Sequence, residues 1–146
     1  MTRSPDGQLY PPSGGHPPPV EAGLTSGETL YLMPLAQEIC RRYREEFPDE
    51  EARYGDAGNA WCVHDNQHLL NWAVGTVRGH IAMDTQVDWL AGILEAREFP
   101  LDRLARNLEI GADVIVERVA APHGQLISSV LADAAACVRD RPANST

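Results

Sequence analysis

From Pro34 to Val138, large apolar residues return every three or four positions between polar and charged runs, the spacing of helices that each bury one stripe. Five such stretches are legible. Over residues 34–47, Leu35, Ile39 and Tyr43 share a face with Ala36 and Phe47, while Arg41, Arg42, Arg44, Glu45 and Glu46 cover the other, and Pro48 ends the run. Residues 60–78, capped by Asn59, carry Cys62, Leu69, Ala73 and Val77 on one broad face with Leu70 and Val74 at its edge, and Gly79 stops them. Asp84 caps a third helix over residues 85–97, whose inner stripe is Val87, Leu90, Ala91 and Leu94, flanked by Trp89 and Ile93. Pro100 and the acidic Asp102 open a fourth, with Leu101, Leu104, Leu108, Ala112, Ile115 and Val119 in register up to the break at Pro122. The fifth, residues 124–138, turns Leu126, Ile127, Val130, Leu131, Ala134 and Val138 inward.

The segments between these stripes are short or polar. Residues 49–59, with Gly55 and Gly58, read as a connection containing one acidic turn, and no alternating strand longer than a few residues or internal repeat is present. The pattern predicts an all-α fold, an antiparallel helical bundle of about five helices, with a globin-like arrangement as the alternative. Thr25-Ser26-Gly27-Glu28 has the capping-box spacing and predicts a short helical turn up to Met33 ahead of the main first helix, because Pro34 would interrupt one continuous helix. Six prolines and three glycines among the first twenty residues leave too little apolar surface to offset ordering the backbone. The expected organisation is a disordered Pro/Gly-rich tail over 1–24, a helical domain over 25–140 and a frayed end over 141–146.

Composition narrows the partners. The chain has 146 residues, is 43% hydrophobic and 23% charged, and carries a formal charge of -9 in which all twelve basic residues are arginine. Such a surface repels phosphate backbones and anionic lipid headgroups at long range, so neither nucleic acid nor a membrane is an expected partner. Cys40, Cys62 and Cys137 are odd in number and far apart, which argues against a zinc knuckle or a secreted disulfide framework and favours reduced thiols. With no apolar run of signal-peptide or spanning length, a cytoplasmic location is expected.

Reactive side chains are densest in W-C-V-H-D-N-Q-H, which puts Cys62, His64, Asp65 and His68 within two helical turns. His64 and His68 lie on one face and, with Asp65, have a spacing that permits a metal, but the Glu that follows the first His of a catalytic zinc helix is replaced by Asp65. A di-iron carboxylate centre needs two Glu-x-x-His elements, and the nearest match is Asp65-x-x-His68 alone. A globin haem needs an axial histidine in the second half, yet residues 82–121 contain none. The stripe Glu109, Asp113, Glu117 reads as a solvated face. Neither a Gly-x-Ser-x-Gly elbow nor a phosphate loop is present. Trp61, Trp72 and Trp89 are either core or the wall of a ligand pocket or partner face.

Arg53-Tyr54-Gly55, Cys62-x-x-Asp65-x-x-His68-Leu69, Val87-Asp88-Trp89-Leu90 and Leu104-Ala105-Arg106-Asn107-Leu108-Glu109 together give residues 53–115 a pattern that resembles a helical sensory or regulatory module of uncharacterised bacterial proteins, found alone or ahead of signalling domains. The resemblance implies a helical fold and a regulatory role, with no activity attached. The expected function is a non-enzymatic helical sensor or protein-interaction module with a protein partner, a second copy included, docking through Trp89 and Ile93 as a homodimer. The alternative is a bundle that binds a small ligand or metal through Cys62, His64, Asp65, His68, Trp72 and Trp89. No cofactor is expected, with metal or haem at the histidine cluster as the variant of that alternative.

Overall fold

Stripes spaced three to four residues apart hide their side chains only by closing over one another, and the helices do so here. The computed structural model describes residues 17–142. In chain order these form strands β1 (Glu21–Gly23) and β2 (Thr29–Tyr31), then helices α1 (Leu32–Glu46), α2 (Asp49–Val77), α3 (Met83–Ala96), α4 (Leu101–Arg118) and α5 (His123–Arg139). The fold is an all-α bundle of five helices with a minute antiparallel sheet, in which Ala22 pairs with Leu30. Helix α4 lies against α1, α3 and α5, and α2 against α1, α3 and α5. This central position explains why α4 buries Ile110, Gly111 and Val114 beyond the single stripe expected of it.

Leu32, Ile39, Leu70, Val87, Leu108, Val114, Ile115, Ile127 and Leu131 are almost wholly removed from water. Each contributes about 1.5–3 kcal/mol of transfer free energy. The inward stripes of α2 and α5 match expectation at Leu69, Leu70, Ala73, Val74, Ile127, Leu131, Ala134 and Val138, whereas Leu126 points outward at 50% exposure. Between helices the surface is tied by arginines: Arg42 to Glu117, Arg106 to Glu46 and Arg139 to Glu109. Two of the three carboxylates on the Glu109, Asp113, Glu117 stripe are thus ion-paired, and Asp113 is exposed.

Four local expectations change. Residues 17–24, expected within the tail, pack on the bundle: Ala22 and Leu24 are buried and the Pro19 carbonyl accepts a bond from Gln67 at 3.0 Å. Tail residues 1–16 and the end at 143–146 lie outside the described residues. Thr25–Glu28 closes the β-hairpin rather than capping a helix, because the Leu24 amide bonds back to the Glu28 carbonyl at 2.8 Å. Helix α1 then starts at Leu32, with Pro34 in its first turn, where a missing N–H costs nothing. The acidic connection is itself helical: α2 begins at Asp49 and is interrupted at Gly55, whose φ of 62° and ψ of -150° are open to glycine and strained for other residues. Asp84 sits inside the first turn of α3, its carboxylate taking the Thr85 amide at 2.8 Å.

Cys40 and Cys62 form a disulfide, against the expectation of reduced thiols. Although 22 residues apart in sequence, they face one another across the α1–α2 contact with Cα atoms 6.0 Å apart. Spacing in sequence carries no record of that meeting. Cys137 is free and exposed.

Candidate functional site

Helix α2 spreads the histidine cluster along its side. The rings of Trp61, His64, His68 and Trp72 follow one another at centroid separations of 5.1, 4.9 and 6.0 Å, as residues three or four apart on one helix must. His64 Nδ1 lies 3.1 Å from a carboxylate oxygen of Asp65. Partial burial, and then the neighbouring His64, hold the His68 imidazole below its ordinary range, with Asp65 opposing them. Among the described residues no group of three or more His, Cys, Asp or Glu side chains is placed to hold a metal ion. Trp89, on α3, is 61% exposed and stands apart from this row.

A different hollow gathers polar groups from several helices. Between α1, α2, α3 and α4 is a cavity of about 60 Å³. Its apolar wall is Leu69, Leu90, Leu94, Phe99 and Leu104, and its polar wall includes Tyr43, Glu50, Arg103, Asn66 and Asn107. Of the sequence-predicted site residues it takes in Cys62 and Asp65, while His64, His68, Trp72 and Trp89 lie elsewhere. The break at Gly55 and the small Gly58 border it on α2.

Among the buried side chains of the polar wall, Glu50, Asn66 and Asn107 are paired and one is not. Asn66 and Asn107, 3% and 8% exposed, exchange amide bonds of 3.0 and 2.9 Å, and Asn66 also donates to the Cys62 carbonyl at 3.0 Å. Arg103 reaches Glu50 at 2.7 Å and Asp49 at 2.8 Å, with its guanidinium 4.4 Å above the Phe47 ring. These carboxylates raise the Arg103 pKa, and Arg103 in turn lowers that of Asp49. Tyr43 is the exception. Its hydroxyl, in a residue only 5% exposed, lies beside the Glu50 carboxylate and the Arg103 guanidinium but makes no hydrogen bond of ordinary geometry to either. Burial, and then the charge of Glu50, push the phenol above its ordinary range, so the group stays a neutral donor.

No family model, curated protein or solved structure matches this chain. Function is therefore argued from the site itself. Sequence reasoning placed Tyr43 in the core and passed over Glu50, Asn66, Arg103 and Asn107 as site residues. A signal was present, because Tyr43 and Asn107 fall on the apolar faces of their helices, where a polar atom needs a partner.

Proposed function

We propose that this chain is a non-enzymatic helical sensor module that binds a small molecule in the cavity between α1, α2, α3 and α4. The observation that carries the proposal is the Tyr43 hydroxyl, buried in the cavity wall beside Glu50 and Arg103 without a hydrogen bond of ordinary geometry to either. Leaving such a group unpaired costs about 1–3 kcal/mol, a penalty that a ligand supplying the partner removes. An apolar hollow with a few convergent polar groups is the usual form of a small-molecule site. The non-enzymatic reading is supported by the state of the reactive groups: Cys62 is held in a disulfide and Arg103 is paired with Asp49 and Glu50.

The test is an amide NMR titration of the full chain against a library of fragments of six or fewer non-hydrogen atoms. Shift changes should cluster on residues 43, 66, 94, 104 and 107 and vanish in Leu90→Trp, which fills the cavity from its partly exposed side. Shifts scattered over the surface, or unaltered by the filled variant, would reject the site.

Self-association through α3 is a second proposal, favoured by the 61% exposure of Trp89. Light scattering should then give a dimer mass that Trp89→Arg lowers to a monomer. Among the described residues no helix is long and apolar enough to cross a membrane. A protein partner belongs to the same regulatory proposal, as does a cytoplasmic site of action, against which the Cys40–Cys62 disulfide counts.

A further inference from the structure

The Cys40–Cys62 bond presents its two sulfurs unequally to solvent. Cys40, on the inner face of α1, is 1% exposed, whereas Cys62 on α2 is only partly buried and belongs to the wall of the hollow. Thiol–disulfide exchange begins when a thiolate attacks one sulfur, which keeps the incoming group while the other sulfur leaves. A buried leaving sulfur slows that step, but a sulfur out of reach does not react at all. Access therefore decides which cysteine is modified.

The leaving sulfur also has a polar neighbour. Asn66 Nδ2 lies 3.5 Å from each of the two sulfurs while donating to the Cys62 carbonyl at 3.0 Å. Reciprocal bonds of 3.0 and 2.9 Å to Asn107 on α4 hold the amide in that place. A fixed N–H edge favours the negative charge that builds on a departing sulfur.

We infer that Cys62 is a site of reversible modification by a small thiol, which forms a mixed disulfide there and releases Cys40. One monothiol RSH gives Cys62–S–S–R and the Cys40 thiol: the bond between the cysteines breaks, one forms to the reagent sulfur, and the proton of RSH ends on Cys40. A second RSH attacks the reagent sulfur of the adduct, giving RSSR and two free cysteines, and RSSR drives both steps in reverse. Whether α1 is tied to α2 is then set by the ratio of thiol to disulfide around the protein. The tie lies one helical turn from Tyr43 on α1 and from Asn66 on α2, yet the chemistry at Cys62 does not need the hollow to hold a ligand.

The test uses the full chain carrying Cys137→Ser, which removes the exposed free thiol and leaves the bonded pair. Treated with mercaptoethanol at pH 7 under argon, quenched with iodoacetamide and mapped by mass spectrometry, it should carry the mercaptoethanol adduct on Cys62 and the alkyl group on Cys40, with a preference of at least about tenfold. The rate should rise in proportion to the thiol and stay level in urea below the unfolding transition, because attack on the folded chain exposes no further surface. An adduct on Cys40, an even split, or a rate that climbs with urea would overturn the assignment and leave the bond purely structural. Cys40 can expel the adduct before it is trapped, so the single thiols of Cys62→Ser and Cys40→Ser on the same background give a second reading. The Cys62 thiol should react with dithiodipyridine at least about tenfold faster than the Cys40 thiol, and equal rates in folded chains would overturn the assignment. The mapping itself needs neither of these variants. A chain isolated with the pair reduced should close on treatment with oxidised mercaptoethanol, and failure to close would count against the site in the same way.

Discussion

The buried amide pair joining α2 to α4 yields a prediction whose size follows from the hydrogen bonds drawn above. Asn66→Leu leaves the Asn107 amide nine-tenths buried with neither partner, and orphaning such a group costs about 2–3 kcal/mol. Asn107→Leu is milder, at about 1–2 kcal/mol, because Asn66 keeps the Cys62 carbonyl for one N–H and loses the donor to its Oδ1. Were the two sites independent, the double variant would lose about 4 kcal/mol. It should instead lose about 1 kcal/mol or less, since two apolar side chains of similar shape then face each other with no polar atom stranded. The coupling of about 3 kcal/mol is at the upper end for contacting residues. For a folded unit of this length each kcal/mol moves Tm by about 4 °C, so the double variant should melt above Asn66→Leu by several degrees. Urea unfolding followed by circular dichroism, with m held constant, gives the four free energies. Losses that add to within about 0.5 kcal/mol would refute the reciprocal pair.

Three more outcomes are expected. Tyr43→Phe should raise stability by about 1 kcal/mol, because it removes a buried hydroxyl that makes no hydrogen bond of ordinary geometry, and a fall in the urea midpoint would contradict that. Glu38 is held down to about 2 by Arg41 and Arg42. A carboxylate with its folded pKa below its unfolded value contributes stability that is complete above about pH 4.5 and lost as pH falls toward 2, so Glu38→Gln should flatten the Tm profile across that window. Reducing the Cys40–Cys62 disulfide, or replacing both residues with alanine, should cost about 3 kcal/mol by release of a loop spanning 22 residues. An unchanged Tm under reductant, with three thiols titrated before as well as after, would remove the disulfide from the account.

How much of this was legible in one dimension differs from element to element. Periodicity alone located α4 and α5 to within a residue or two, since Leu104, Leu108, Ile115, Ile127 and Leu131 are spaced for one face whatever they meet. It gave the all-helical class for the same reason. The hairpin was misread because a hydroxyl followed three residues later by glutamate serves a tight turn as readily as a helix start, and only the pairing of Ala22 with Leu30 decides between them. Of the candidate site, two of the six residues singled out from sequence line the cavity. Cys62 and Asp65 belong to the cavity, but the local density of histidines drew attention to a row that runs along one helix, because proximity in sequence shows which groups share a helix and not which groups face one another.

Amino-acid order determined where helices form, which stripe each one hides and the acidic, lysine-free surface, all of which depend on spacing within a few residues or on composition. The tertiary structure alone decided which stripes meet. It set Cys40 against Cys62, Asn66 against Asn107, and Tyr43 beside Leu94 and Arg103 around one hollow. Those meetings depend on how five rods are rotated and ordered about a shared interior, and a helical repeat fixes a face without fixing its neighbour.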